Sequence, residues 1–185
     1  MATDNFIQSV QDAASDAPRS INWYRNKIRE FGKPRPLELI RDGRRTARPS
    51  AFNLNMFVYD PKYKKTLPYY DTFPLVLPLE RYSDGFLGLN FHYLPIPLRV
   101  RLLDKLNSIQ EGNQYSERDR LRVSYARAST IPMAKAVVKR YLYSHLKSQI
   151  RVITPDEWVI AVLLPVQRFK KASTSKVYNQ TKKML

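Results

Sequence analysis

Cysteine is absent from the 185 residues, which excludes a disulfide framework and any thiolate metal site. Glycine is scarce, and none of the five falls in a phosphate-cradling loop or a strand-to-helix nucleophile turn. Only two histidines occur, His92 and His145. The first alternates along a strand and the second ends an apolar stripe, so both read as structural. No apolar run approaches the length of a membrane span. The opening, MATDNFIQSVQDAASDA, is neither basic nor apolar enough for a signal peptide, so a soluble protein or a part of a soluble assembly is expected. Acids are short as well: 16 Asp and Glu face 32 Lys and Arg, for a net charge of +16. That balance favours a polyanion or an acidic protein neighbour and says nothing of fold.

What is present is apolar and aromatic. Hydrophobic residues make up 43% of the chain and aromatics 12%, with 12 tyrosines, which excludes a disordered chain. The organising stretch is Leu54 to Leu106. Three apolar runs, Leu54–Tyr59, Phe73–Leu79 and Phe86–Tyr93, lie between Asp, Pro and Gly clusters and read as strands. Alternation is clearest in the third, where Phe86, Gly88, Asn90 and His92 oppose Leu87, Leu89, Phe91 and Tyr93. Pro74 and Pro78 cannot donate to a ladder, which predicts that the second run is an edge strand or starts late. Pro97 then starts a helix with Leu98, Leu102, Leu103, Leu106 and Ile109 on one face. Arg99, Arg101, Asp104 and Lys105 are placed on the rest of it.

Further along, the periodicity predicts a helix over Pro132–His145 and a short strand over Ile150–Ile153. Thr154-Pro155-Asp156-Glu157 is a helix start, and Trp158–Leu164 reads as a buried helix or as a helical turn followed by a strand. Before the organising stretch, Asn5–Ala17 and Ser20–Phe31 carry helical stripes, with Trp23 off the second stripe. The predicted fold class is α+β: a small antiparallel, barrel-like sheet packed by amphipathic helices, with extended N- and C-terminal arms. The expected division is 1–50, an N-terminal helical arm and basic linker; 51–165, the core domain; and 166–185, a basic C-terminal arm. Phe57, Leu75, Leu77, Leu87, Leu89 and Trp158 are the expected cover for the leucine face of the Pro97 helix.

The candidate binding residues are basic and aromatic. Arg41, Arg44, Arg45 and Arg48 crowd into RDGRRTARPS, and arginine forks suit phosphate or carboxylate. Lys62, Lys64 and Lys65 are interleaved with Tyr63, Tyr69 and Tyr70, a pattern found in single-stranded nucleic-acid grooves and equally in protein interfaces. Lys170 and Lys171 extend the set, and Trp23 joins Tyr63, Tyr69 and Tyr70 as a candidate interface aromatic. An enzyme reading would pair two of Asp60, Asp71, Asp84 and Asp104 around a metal, helped by Arg99 or Arg101. Turn geometry, a strand entry and a polar helix face account for those acids more simply. No catalytic, cofactor or metal site is assigned.

The strings YDPKYKKTLPYYDTFPLVLPL, DGFLGLNFHYLP and RLLDKL, with YLYSHLKSQIRVITPDEWVIAVLLPVQRF near the end, resemble a family of small virion proteins of large contractile-tailed, T-even-like bacteriophages. The blocks span Asn53–Leu106 and Tyr141–Lys170, a little under half of the chain. The resemblance implies a non-enzymatic structural subunit, associated with the tail or baseplate or acting as a DNA-end protector. It also implies a virion location, other virion proteins in symmetric copies as partners, and DNA as a non-specific alternative partner. Tail or baseplate subunit is the first expectation and DNA-end protein the second.

Overall fold

The computed structural model describes residues 44–51, 53–108, 125–153 and 157–185. In chain order the strands are β1 (Arg45–Thr46), β2 (Leu54–Met56), β3 (Tyr70–Asp71), β4 (Leu75–Arg81) and β5 (Gly85–Asn90), then β6 (Val138–Leu142), β7 (Ile150–Ile153) and β8 (Phe169–Lys170). The helices are α1 (Ile96–Ser108), α2 (Tyr125–Ala128), α3 (Pro132–Val137), α4 (Trp158–Leu163) and α5 (Thr174–Lys182). Six strands form one antiparallel sheet in the order β1-β7-β2-β4-β5-β6, and β3 pairs with β8 alone.

The three apolar runs and the Ile150–Ile153 strand share one sheet, as expected. The sheet is not closed into a barrel, because β1 and β6 remain its edges. It curls instead. Tyr141 of edge strand β6 packs on Phe57 and Tyr59, with ring centroids 5.3 Å and 5.0 Å away. The chain after β6 turns back along the continuation of β2, where Tyr59 bridges Leu146 and the Lys147 amide donates to the Val58 carbonyl.

Alternation along the strands sends side chains to two covered faces. Leu54, Met56, Leu75, Leu77 and Leu89 meet Leu102, Leu103 and Leu106 of α1 and Trp158, Ala161 and Val162 of α4. The opposite face holds a smaller aromatic cluster of Phe57, Tyr59, Val76, Phe86, Tyr141 and Ile150. Phe57 therefore covers the far side of the sheet rather than the leucine face, because it is one residue out of phase with Leu54 and Met56. Leu87 belongs to neither cluster and stays half-buried.

Three expectations are resolved or corrected. The second run is interior and takes the late-start alternative: β4 begins at Leu75, past Pro74, between β2 and β5, and Pro78 is accommodated where the register shifts between Pro78 and Glu80. Its partner is Gly88, where a Cβ would sit 2.4 Å from Val76 Cγ1 and 2.9 Å from the Leu77 carbonyl oxygen, so the close approach of β4 and β5 here requires glycine. The predicted helix Pro132–His145 stops at Val137 and becomes β6. Val137, Val138 and Tyr141 suit a strand, and the open edge of β5 supplies the ladder. The expected free arm at 166–185 is ordered against its own core: β8 pairs with β3, and α5 buries Val177 and Thr181. Trp158–Leu163 takes the buried-helix alternative, and its indole donates to the Ile153 carbonyl at 2.9 Å. The two N-terminal helical stripes, the 154–156 helix start and residues 109–124 lie outside the described residues.

Candidate nucleic-acid interface

Beneath the surface lies a buried polar network that fixes the C-terminal segment. Asp71 closes β3 and is buried. Its Oδ1 accepts from the amides of Phe73 and Arg168, both at 3.0 Å, and its Oδ2 lies 2.9 Å from His92 Nδ1. Burial pushes the Asp71 carboxyl up, but the His92 ring and the two amides outweigh it, so the group is held below the usual carboxylate range. Burial drives His92 below its ordinary value despite the nearby carboxylate, so a neutral ring donates Nδ1–H to Asp71.

Arg99 is the other half. It lies at 0% exposure inside the apolar stripe of α1. Nε donates to the Leu94 carbonyl at 2.8 Å, Nη1 to Leu164 at 3.1 Å, and Nη2 to Gln167 Oε1 at 3.0 Å and the Tyr178 hydroxyl at 2.8 Å. A guanidinium tolerates this depth only because its donors meet carbonyls past the end of α4 and side chains of the C-terminal segment. The sequence reading placed Arg99 on the polar part of the helix, and that is corrected here.

On this base the candidate lysines come together. Tyr70 pairs with Lys170, and Asp71 with Phe169. Next in the chain, Lys171 adopts φ 67°, a left-handed conformation that costs a side-chain-bearing residue about 1 kcal/mol. From there its ammonium donates to the Lys65 and Leu67 carbonyls at 2.9 Å and 2.8 Å, clamping the loop that carries Lys62, Lys64 and Lys65. The loop is also tied internally. The Tyr63 carbonyl accepts from the Thr66 and Leu67 amides, both at 3.0 Å, and from the Thr66 hydroxyl at 3.1 Å. Lys64 is paired with Asp60 at 2.9 Å, which lowers that acid and raises the lysine. Lys62, Lys65, Arg168, Lys170, Lys176 and Lys182 are exposed around this junction and its following helix.

The tyrosines divide. Tyr63 is 63% exposed, whereas Tyr69 tilts onto Tyr93 at 6.0 Å and joins the core edge, and Tyr70 is half-buried. The arginines occupy a neighbouring stretch. Arg45 sits on edge strand β1, and Arg48 lies 4.0 Å over the Tyr143 ring. Two residues on, the His145 carbonyl accepts from the Asp60 amide at 3.1 Å, at the root of the lysine loop. Arg44, Arg45 and Arg48 are all exposed. Trp23 and Arg41 lie outside the described residues.

Basic residues outnumber acids among the described residues, 22 Lys and Arg against six Asp and Glu. Asp60 pairs with Lys64, Asp71 with His92 and Asp84 with Arg140, and Glu80 accepts from the Tyr82 hydroxyl. The acids do not converge. No group of three or more metal-ligating side chains occurs among the described residues.

Residues 3–184 match the family model of the phage T4 terminal DNA protecting protein. The chain belongs to that family. No curated protein and no solved structure matches it.

Within the phage T4 terminal DNA protecting protein family, the second of the two expected roles gains support, and the tail or baseplate role gains none. No helix among the described residues is long and apolar enough to cross a membrane. His92 is structural, as the sequence reading had it; Asp71 and Arg99, weighed there for other roles, and Tyr178, not singled out there, join it in holding the C-terminal segment in place. Arg99 left a signal: it falls three residues after Ile96 and four before Leu103, on the buried stripe itself.

Proposed function

We propose that the protein binds the ends of packaged phage DNA through its basic face and shields them from nucleases, with no chemistry of its own. Lys62, Lys64, Lys65, Lys170 and Lys171, with Arg44, Arg45 and Arg48 alongside, contact phosphates, and base sequence is not read. The observation that carries this reading is the junction at which Lys171, beside Lys170 on β8, fastens the loop bearing Lys62, Lys64 and Lys65, in a chain whose family is named for protecting terminal DNA. Such binding is driven by counterion release and falls steeply with salt. Neighbouring virion proteins are further partners in this proposal, reached through residues 1–50.

The test is digestion of linear duplex DNA by a processive exonuclease, with and without the protein, at two salt concentrations. Protection at low salt, weakening as salt rises and indifferent to the end sequence, is the expected result. Filter binding accompanies it. Failure to retain linear DNA even at low salt rejects the proposal.

A further inference from the structure

We infer that Tyr63 is an end cap: its ring stacks on the exposed face of the terminal base pair while the surrounding lysines hold the last phosphates. The inference rests on the DNA-end reading above and names how an end is told from the interior of a duplex.

Two observations carry it. Tyr63 is the most exposed aromatic among the described residues, at 63%, and its loop is not slack. The Tyr63 carbonyl gathers three hydrogen bonds, and the Lys171 ammonium fastens two further carbonyls of the same loop. The backbone is thus held firmly under a ring that is 63% exposed and that, among the described residues, its own chain approaches only through the Lys62 ammonium. The other exposed tyrosine in a turn, Tyr82, differs. Arg140 lies 4.2 Å over its ring, and its hydroxyl donates to Glu80 at 2.7 Å, so that surface is already used.

The chemistry around Tyr63 then selects the partner. The Lys62 ammonium lies 5.3 Å from its ring centroid, and Lys65 and Lys170 are exposed in the same loop and the strand that clamps it. A flat ring among cations matches a flat apolar surface bordered by phosphates. Along a duplex every base face is covered by its neighbour, and only at an end is one bare. Base–aromatic stacking tolerates any sequence, because every base has a π-face. An end cap of this kind therefore distinguishes ends from interior without reading bases.

The experiment compares two short duplexes of the same sequence, one with open blunt ends and one with both ends closed by hairpin loops. A terminal 2-aminopurine in the open duplex reports stacking by its fluorescence. The parent protein is expected to prefer the open duplex and to change the 2-aminopurine signal. Tyr63→Ala should lower that preference about tenfold, the scale of one lost base stack, and abolish the signal change. Tyr63→Trp should keep the preference. If Tyr63→Ala keeps the parent's ratio, or the parent does not distinguish the two duplexes, the inference is overturned while DNA binding stands. If the parent binds neither duplex at low salt, the functional proposal falls with it.

Discussion

Replacing Arg99 with methionine should detach the C-terminal segment from the core. Methionine fills most of the volume but supplies no donor. The carbonyls of Leu94 and Leu164, the Gln167 side chain and the Tyr178 hydroxyl would each lose the guanidinium that they share. Each buried acceptor left unsatisfied costs about 1–3 kcal/mol, so the loss of several comes to about 3–5 kcal/mol once the site relaxes. For a chain of this size that lowers Tm by roughly 10 °C, at about 2–4 °C per kcal/mol. Arg99→Lys should recover little, since an ammonium cannot span acceptors on both sides as the planar fork does. The decisive assay is limited trypsin digestion. Arg168, Lys170, Lys171 and Lys176 are exposed side chains on an ordered segment, so the parent should be cut slowly there and the variant quickly. DNA affinity should fall in step, because Lys170 and Lys171 lose their placement. A variant that melts with the parent and resists trypsin at these sites would refute the assigned role of Arg99.

Other substitutions test other layers. Leu102→Asp places an unpaired charge at a fully buried site between α1 and the sheet, and should cost several kcal/mol, on the order of the desolvation of one such group; thermal denaturation reads it. Gly85→Ala drives a methyl into the Tyr141 carbonyl of the neighbouring strand, so β5 and β6 must part, at about 1–3 kcal/mol in a denaturant titration. Lys62→Ala and Lys65→Ala should each reduce the salt slope of DNA binding by about one and leave Tm unchanged. Stability should decline on acidification in two steps. His92 has its pKa depressed below the ordinary 6.5, so the unfolded chain takes up its proton first, and stability is lost as pH falls from about 6.5. Asp71 is depressed below 3.8, so its contribution is present above that value and lost as pH falls through the lower, folded one. His92→Gln should remove the upper step from a series of Tm measurements against pH.

The strands of the large sheet were legible because their composition and punctuation are local properties. Leu54–Met56, Leu75–Arg81, Gly85–Asn90 and Ile150–Ile153 all lie where apolar runs meet Asp, Pro or Gly. What failed was non-local. Pro78 reads as an edge residue until Gly88 is seen opposite it, and the segment after Val137 reads as helix until the free edge of β5 is available. The lysine loop and Lys170 and Lys171 were each visible as basic clusters. Their meeting was not, since the Lys171–Lys65 contact spans 106 residues and depends on the pairing of β3 with β8. Arg99 was misplaced because charge was allowed to outvote period.

The distance between the loop and its clamp also has a consequence in time. The Arg168 amide that meets Asp71 lies 97 residues further along the chain. At about 5–20 residues per second, the lysine loop leaves the ribosome roughly 5–20 s before the strand that fastens it. Through that interval the nascent chain carries the basic residues without their arrangement. The clamp therefore forms only near the end of synthesis, and a chain cut short before Phe169 retains the basic loop but never assembles it.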